Sequence, residues 1–404
     1  MHRPAFRKTV PLKEVAPTAR EFCLVLGGPL YQLYLRTRLA KPPIDWVRRR
    51  IIALSLTCWL PPLALSLFSG TAFGRVKVPF LFDIGAHLRF LCALPLLIAA
   101  EQVVQRRIPS IVRHFVDRNI IASDQQPRLE SLISSVMRVR NSKLIEILLL
   151  VSAFAGFWMW QEYPTLGSST WYVVETNGKV HFTPAGYWYV LISLPLLRFL
   201  LFRWYFRLGL WYWFLWRVQR FTLHLNFLHP DRAGGLGFLS GSTSAFSPIL
   251  VAQTVIVAGI IADEIRYAGM TLPGFKMEIV AIIVFLLLVV FTPLCFFMIR
   301  LIQARRTAKG KFGILASQYV NDFWNKWIAT PGAGTERQVL GNADIQSLAD
   351  LASFYTVVSK MRIVPFSKST VTQVAVLICI PLLPLTLTMI PLDQVINRLA
   401  KFVL

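Results

Sequence analysis

Negative charge is scarce in this chain of 404 residues. Asp and Glu number 20 against 43 Lys and Arg, and charged residues together make up only 16%. Cysteine is scarcer still: Cys23, Cys58, Cys92, Cys295 and Cys379 stand far apart, four of them inside apolar runs. With no CxxC pair, neither a zinc site nor a disulfide framework is indicated, and buried inert thiols are expected. The six histidines (His2, His87, His114, His181, His224, His229) are scattered, which argues against a multi-histidine metal centre. GxSxG, HExxH and paired carboxylates at a defined spacing are all missing. No catalytic residue is therefore nominated, and neither metal nor cofactor is expected.

Apolar length is what the chain has in quantity. Residues of the AVILMFWYC set reach 55%, and the mean hydropathy is +0.54, both above the soluble range. A span needs about 20 mostly apolar residues. Seven stretches qualify: 51–70, 84–104, 143–163, 186–208, 247–265, 277–300 and 371–391. The expected fold is all-α, a polytopic transmembrane helical bundle with a helical cytoplasmic lobe. Pro61-Pro62 in the first span and Pro381 and Pro384 in the last should kink their helices. Residues 1–50 are basic and interrupted by proline, without the short apolar stretch and cleavage site of a secretory signal. The first apolar run is expected to act as the insertion signal and to stay in place.

Lys and Arg sort by loop. With residues 1–50 in the cytoplasm, the inside segments 1–50, 104–143, 203–246 and 300–369 hold 34 basic residues, and the outside loops and tail hold 7. The asymmetry places the N-terminus inside and the C-terminus outside. It also explains the net charge of +23 without nucleic acid. The basic edges should attract anionic lipid headgroups at the cytoplasmic face.

The organisation expected is a basic cytoplasmic segment (1–50), spans one and two (51–104), and cytoplasmic amphipathic helices (105–142) divided at Pro127. Spans three to six follow (143–302), interrupted by a glycine-rich loop at 229–246. A cytoplasmic helical segment (303–369) and the seventh span with a short amphipathic tail (370–404) complete the chain. Within 303–369, Thr330-Pro331-Gly332-Ala333-Gly334 marks a break. Asn342 can cap the next helix, whose packing face is Ile345, Leu348, Leu351, Tyr355 and Val358. Outside, Asn177-Gly178 between β-formers predicts a hairpin over 171–183.

Three constellations are candidates for function. The fourth span continues without a break to Arg220, about 50 Å as a helix. It places Arg203, Arg207 and Arg217 within about 80° of one another. They suit either an interfacial belt or the lining of an anion path. The stretch His229-Pro230-Asp231-Arg232-Ala233-Gly234-Gly235-Leu236-Gly237-Phe238-Leu239 precedes Ser240, Ser242, Thr243, Ser244 and Ser247-Pro248. A glycine loop facing a helix N-terminus can hold an anion, so His229, Asp231, Arg232, Gly234, Gly235 and Gly237 form a candidate anion site. A tight connector is the alternative. Charged and polar groups inside spans are functional candidates by default: His87, Arg89, Glu146, Arg198, Asp263 and Glu264. Arg89 or Arg198 could pair with Glu146.

The His-Pro-Asp tripeptide is similar to that of J-domains, which need a soluble helical hairpin that flanking spans deny it. His224 and His229 are spaced as in one histidine box of membrane desaturases, which require several. The strings 229–239, Gly341-Asn342-Ala343-Asp344-Ile345-Gln346-Ser347-Leu348-Ala349-Asp350-Leu351 and 361–366 resemble an uncharacterised bacterial polytopic inner-membrane protein family. The resemblance implies an inner-membrane location and no activity. Seven spans with an inside N-terminus are also similar in topology to insect odorant and gustatory receptor channels, an analogy of topology alone.

Polar residues within spans and the loop at 229–246 favour a channel or transporter for an ion or small anionic solute. A sensor or scaffold working through the cytoplasmic lobe is the second reading, and a lipid-modifying membrane enzyme the third. Membrane lipids, and a homo-oligomer as an open assembly state, are the partners considered. Thr372, Gln373, Thr386 and Thr388, with two prolines, make the seventh span the expected pore-facing element.

Overall fold

The computed structural model describes residues 22–39, 46–162, 169–176, 179–329 and 343–389, without the side chains of 156–162, 175–176, 179–180 and 389. The expectations at Asn177-Gly178, the 330–334 break, the Asn342 cap and the tail after residue 390 lie outside the described residues.

Six described helices are long and apolar enough to cross a membrane: α2 (Val47–Phe68), α3 (Ile84–Asp117), α6 (Pro184–Val218), α7 (Leu236–Tyr267), α8 (Leu272–Cys295) and α11 (Lys368–Thr388). The protein is thus an all-helical, multi-pass membrane protein, and its helices assemble as a bundle. The short α1 (Pro29–Arg36) precedes them, and α4 (Gln126–Arg140) follows α3. The stretch expected as the third span forms α5 (Lys143–Glu162). A helical pair, α9 (Met298–Trp327) and α10 (Ala343–Ser359), packs side by side after α8. The strands are β1 (Val173–Thr176) and β2 (Lys179–Phe182), antiparallel from Val173↔Phe182 to Thr176↔Lys179.

Burial separates these helices into an inner and an outer set. In α3, α6 and α7 half or more of the most apolar window is buried, whereas in α2, α8 and α11 the share is under a third. Trp204, Trp211, Phe90, Phe115, Phe214 and Phe246 fill the centre. Outward positions such as Ile52, Leu56, Val284, Leu288, Val376 and Leu383 are exposed and apolar, as a lipid-facing surface requires. Close approach at the centre relies on glycine. A Cβ on Gly259 of α7 would lie 2.9 Å from the Gly85 Cα of α3.

Prolines shape both inner helices in the same way. The π-helical turns Leu88–Ala93 and Tyr189–Ser193 run just ahead of Pro95 and Pro195. A proline cannot donate to the carbonyl four residues back, and its ring crowds that carbonyl, so the turn before it widens. The surrounding sequence follows one pattern, Leu-x-x-Leu-Pro-Leu-Leu, in both helices: Leu91-Cys92-Ala93-Leu94-Pro95-Leu96-Leu97 and Leu191-Ile192-Ser193-Leu194-Pro195-Leu196-Leu197.

Connections gather at two ends. At the basic end Ile121 bridges Leu223, Arg300 donates to the Gln219 carbonyl, and the Arg362 N–H donates to the Arg232 carbonyl at 2.6 Å. At the far end Val78 bridges Thr170, and the Tyr267 hydroxyl donates to the Phe82 carbonyl.

Several local expectations shift. α3 does not stop near residue 104 but runs to Asp117, and the chain breaks at 118–125, where Asn119 has φ 50. Two helices do meet in this stretch, with the break at 118–125 and Pro127 in the first turn of α4, where its missing N–H costs nothing. On α10, Ile345 and Tyr355 are exposed and Val358 alone is fully buried, so the expected packing face is only partly used. In α11, Val374, Ile378, Leu382 and Leu385 are buried while Val376, Leu377, Ile380, Leu383 and Leu387 are exposed. Both faces of that span are apolar, and the Thr386 and Thr388 hydroxyls donate to carbonyls of their own helix at 2.6 Å.

Candidate functional site

At the level where α3 approaches the basic end, Glu101 is 6% exposed and three guanidinium groups converge on it. Arg50 Nη1 of α2 donates to Oε2 at 2.5 Å, and Arg207 Nη1 of α6 donates to Oε1 at 3.1 Å. Arg203 Nη1, one turn earlier on α6, reaches Oε1 at 3.4 Å. Residues four apart share a helix face, so Arg203 and Arg207 point the same way. Arg203 Nε also lies 3.4 Å from Glu146 Oε1 at the start of α5. Arg50 lies over the Tyr34 ring and Arg207 over Trp204, adding cation–π attraction in a dry setting.

Residues 22–28 enter this cluster as irregular backbone, bent at 24–26 and again at Gly28. Phe22, Cys23, Leu24 and Val25 are buried. Their carbonyls have no helix to satisfy them, and arginines do it instead. Arg207 Nη2 donates to Val25 at 3.3 Å, Arg203 Nη2 to Gly27 at 3.5 Å, and Arg140 Nη1 to Cys23. The Cys23 thiol donates to Gln105 Oε1 at 2.6 Å, one turn below Glu101. Gly27 has φ 130, and a Cβ there would sit 2.2 Å from Asn141 Oδ1. The Leu30 N–H then donates to both Glu146 oxygens at 3.2 Å. Three guanidinium groups thus meet two carboxylates. Among the described residues, Arg50 Nε and Nη2 have no hydrogen-bond partner although the side chain is buried.

The second cluster lies at the far end. Asp263 Oδ1 and Oδ2 of α7 accept the Ile84 and Gly85 N–H groups at 3.0 and 2.9 Å, capping the N-terminus of α3. Asp83 accepts from Ala86 N–H at 2.6 Å and from the buried Trp171 indole at 2.8 Å. Arg89 Nη1 donates to the Tyr189 hydroxyl at 2.7 Å, joining the two π-helical turns. His87 Nδ1 accepts from Trp59 Nε1 at 2.9 Å and Nε2 faces the Leu81 carbonyl at 3.1 Å, which suits a neutral ring protonated on Nε2. Between the clusters α3 and α6 present buried Phe90, Leu94, Leu97, Leu197 and Trp204.

The expected partnership of Arg89 or Arg198 with Glu146 is not what forms. Arg89 lies at the far end, Glu146 at the basic end, and Arg203 is the cation that Glu146 meets. Arg198 and Glu264 are half-buried and in no ion pair among the described residues. Arg203 and Arg207 are core residues rather than an interfacial belt, while Arg217 is exposed. Sequence reasoning missed Glu101 and Arg50. The signal was available, because Glu101 is the only acidic residue in the apolar run 84–104.

The loop at 229–246 folds around its own carboxylate. Asp231 Oδ1 accepts from Ala233 and Gly235 N–H at 2.8 and 3.1 Å, and Oδ2 accepts from Gly237 N–H at 2.8 Å. His229 Nδ1 lies 2.9 Å from Oδ1. Burial opposes ionisation of Asp231, but these N–H groups and His229 outweigh it and hold its carboxyl below the usual range. A side-chain carboxylate thus occupies the place an external anion would take. Gly234 and Gly235 have φ 66 and 93, the left-handed turn that lets three N–H groups point inward. Arg232 is exposed. The hydroxyls that follow turn to their own backbone: α7 begins well before Pro248, and Ser240, Ser242, Thr243, Ser244 and Ser247 bond carbonyls three residues back. The Arg362 guanidinium donates to the Asp231 carbonyl at 2.5 Å, fastening the loop to the segment before α11.

Among the described residues, no group of three His, Cys, Asp or Glu side chains is arranged to hold a metal ion. Compared with protein-family models, curated proteins and solved structures, the chain matches none of them.

Proposed function

We propose that this multi-pass membrane protein carries a small anionic solute, and that the Glu101 cluster is where the solute binds. One observation carries the reading. Arg50 is buried, has two nitrogens without a partner among the described residues, and belongs to a group in which guanidiniums outnumber carboxylates. A buried donor left unsatisfied is costly, and an anion at Arg50 would remove both that cost and the charge excess. The apolar packing between the two polar clusters favours a carrier that changes shape over an open channel. By the distribution of Lys and Arg, the basic end faces the cytoplasm, and a bacterial inner membrane is the proposed location.

The test is flux through vesicles reconstituted with the purified chain, using chloride, nitrate, phosphate and acetate. Uptake of at least one anion should exceed that of empty vesicles. It should fall at least tenfold in Arg50→Gln and stay unchanged in Arg128→Gln, which alters an exposed arginine of α4. Uptake equal to empty vesicles for all four anions would sink the proposal.

A scaffold or sensor role has one observation in its favour. The α9–α10 pair exposes Ile314, Leu315, Val320, Trp324, Phe354 and Tyr355. Cross-linking from position 324 to another protein in the native membrane, with no anion flux, would move that reading ahead.

A further inference from the structure

A cavity of about 850 Å³ lies between α1, α2, α5 and α6, inside the ~300–1,000 Å³ range of ligand pockets. Leu33, Leu54, Leu150, Phe154, Leu196 and Phe199 supply apolar wall. Charged residues reach it at one end only: Arg36 from the last turn of α1, Lys143 from the start of α5, and Glu146 one turn further.

The depth of the cavity matches one leaflet. The Glu146–Arg203 contact fixes how α5 and α6 pass each other. The lining runs from Lys143 to Phe154 on one helix and from Leu200 back to Leu191 on the other. At 1.5 Å per residue this is about 16 Å of α5, close to half of a hydrocarbon core about 30 Å thick. The charged end therefore lies at the membrane edge and the apolar end near the midplane. Glu146 does not offer a free negative charge there, because the Leu30 N–H and Arg203 Nε take its oxygens. Arg36 and Lys143 are exposed and in no ion pair among the described residues.

We propose that this cavity binds one anionic phospholipid of the leaflet at the basic end. Its phosphate lies between Arg36 and Lys143, and an acyl chain lies between α5 and α6. The cavity shares Glu146 with the arginine cluster, but Arg50 and Arg207, at the proposed solute site, take no part in it. Two unpaired cations at a membrane edge attract a headgroup with net negative charge, and a zwitterionic headgroup would bring an ammonium toward the same cations.

Native mass spectrometry of the purified full chain, supplied with phosphatidylglycerol or phosphatidylcholine, tests this. The wild type should retain one phosphatidylglycerol at least tenfold more tightly than phosphatidylcholine. Leu150→Trp and Leu196→Trp, which fill the apolar part, should lose the retained lipid. The double variant Arg36→Gln/Lys143→Gln should still hold a lipid, with its preference reduced below twofold. Monodisperse elution and unchanged anion flux in these variants keep the lipid site and the solute site distinguishable. Equal retention of both lipids by the wild type, or an unchanged preference in the double variant, overturns the proposal even where a tryptophan variant aggregates. A dimer that retains no lipid and dissociates in Leu150→Trp assigns the cavity to a second copy, and also overturns it.

Discussion

Replacing Glu101 by Gln would leave Arg50, Arg203 and Arg207 buried around a neutral amide. Breaking a buried ion pair from one side costs about 3–5 kcal/mol, because the remaining charge has no compensation. Glu101→Gln is therefore expected to destabilise the bundle by about that amount, read as a lowered midpoint of thermal unfolding in detergent. Arg207→Leu should cost less, since Glu101 keeps two cations. A second residue-scale expectation concerns Asp231. A carboxyl whose native pKa lies below its unfolded value adds stability that is fully present above about pH 4, the ordinary aspartate range. That stability is lost as pH falls through the depressed native pKa. Hydrogen exchange of residues 233–240, referenced to the free peptide, should show constant protection down to about that pH and then a loss. Asp231→Asn should lack the acid step, with lower protection throughout.

At the scale of the element, tight and open helical positions should respond in opposite directions. Gly259→Ala drives a methyl group toward the Gly85 backbone, an overpacking that costs about 1–3 kcal/mol. Nothing lies within 4 Å of a Cβ on Gly209, so Gly209→Ala should stabilise α6 by about 0.5–1 kcal/mol. Thermal unfolding of the pair checks both signs. For α11, single cysteines at positions 376, 380 and 383 should react with a lipid-soluble maleimide and resist a water-soluble one. Cysteines at 374, 378 and 382 should resist both. Periodic reactivity to the water-soluble reagent would instead restore the pore-facing reading. Much of this level was legible beforehand, because apolar length alone marks a spanning helix, and six of the expected stretches lie on helices of that kind. The ends were less legible: α3 outruns its apolar segment because Gln105, Ile108, Val112 and Phe115 find protein rather than lipid to pack against. The two π-helical turns were written in the shared Leu-x-x-Leu-Pro-Leu-Leu strings, a repeat too short to register as a period. The Glu101 cluster was hidden for another reason. Its partners lie 51, 102 and 106 residues away, and no local pattern records which distant arginine a carboxylate will meet.

For the whole molecule, the expectation concerns which end faces which compartment. Ser123→Cys lies at the basic end and Gly269→Cys in the loop between α7 and α8 at the far end. In a background lacking native cysteines, an impermeant thiol reagent added outside intact cells should label position 269 and leave position 123 untouched until the membrane is opened. Labelling of both from outside would contradict the orientation inferred from the arginine and lysine distribution. The two polar clusters also divide the bundle unequally. One binds the N-terminal segment to three helices, and the other caps a helix and joins two.

The binding of residues 22–28 sets an order of events during synthesis. Val25 waits for Arg207, 182 residues later in the chain, and at about 5–20 residues per second that wait is roughly 10–40 s. During it α2 and α3 can already share the Arg50–Glu101 pair, which spares each charge a solitary passage into lipid. The N-terminal segment can meet Gln105 and Arg140 earlier, but its Val25 and Gly27 carbonyls have no arginine until α6 arrives. A nascent chain halted before Arg203 should therefore hold α2, α3 and α5 in the membrane with its leading segment still open to a protease. One released after Val218 should protect it.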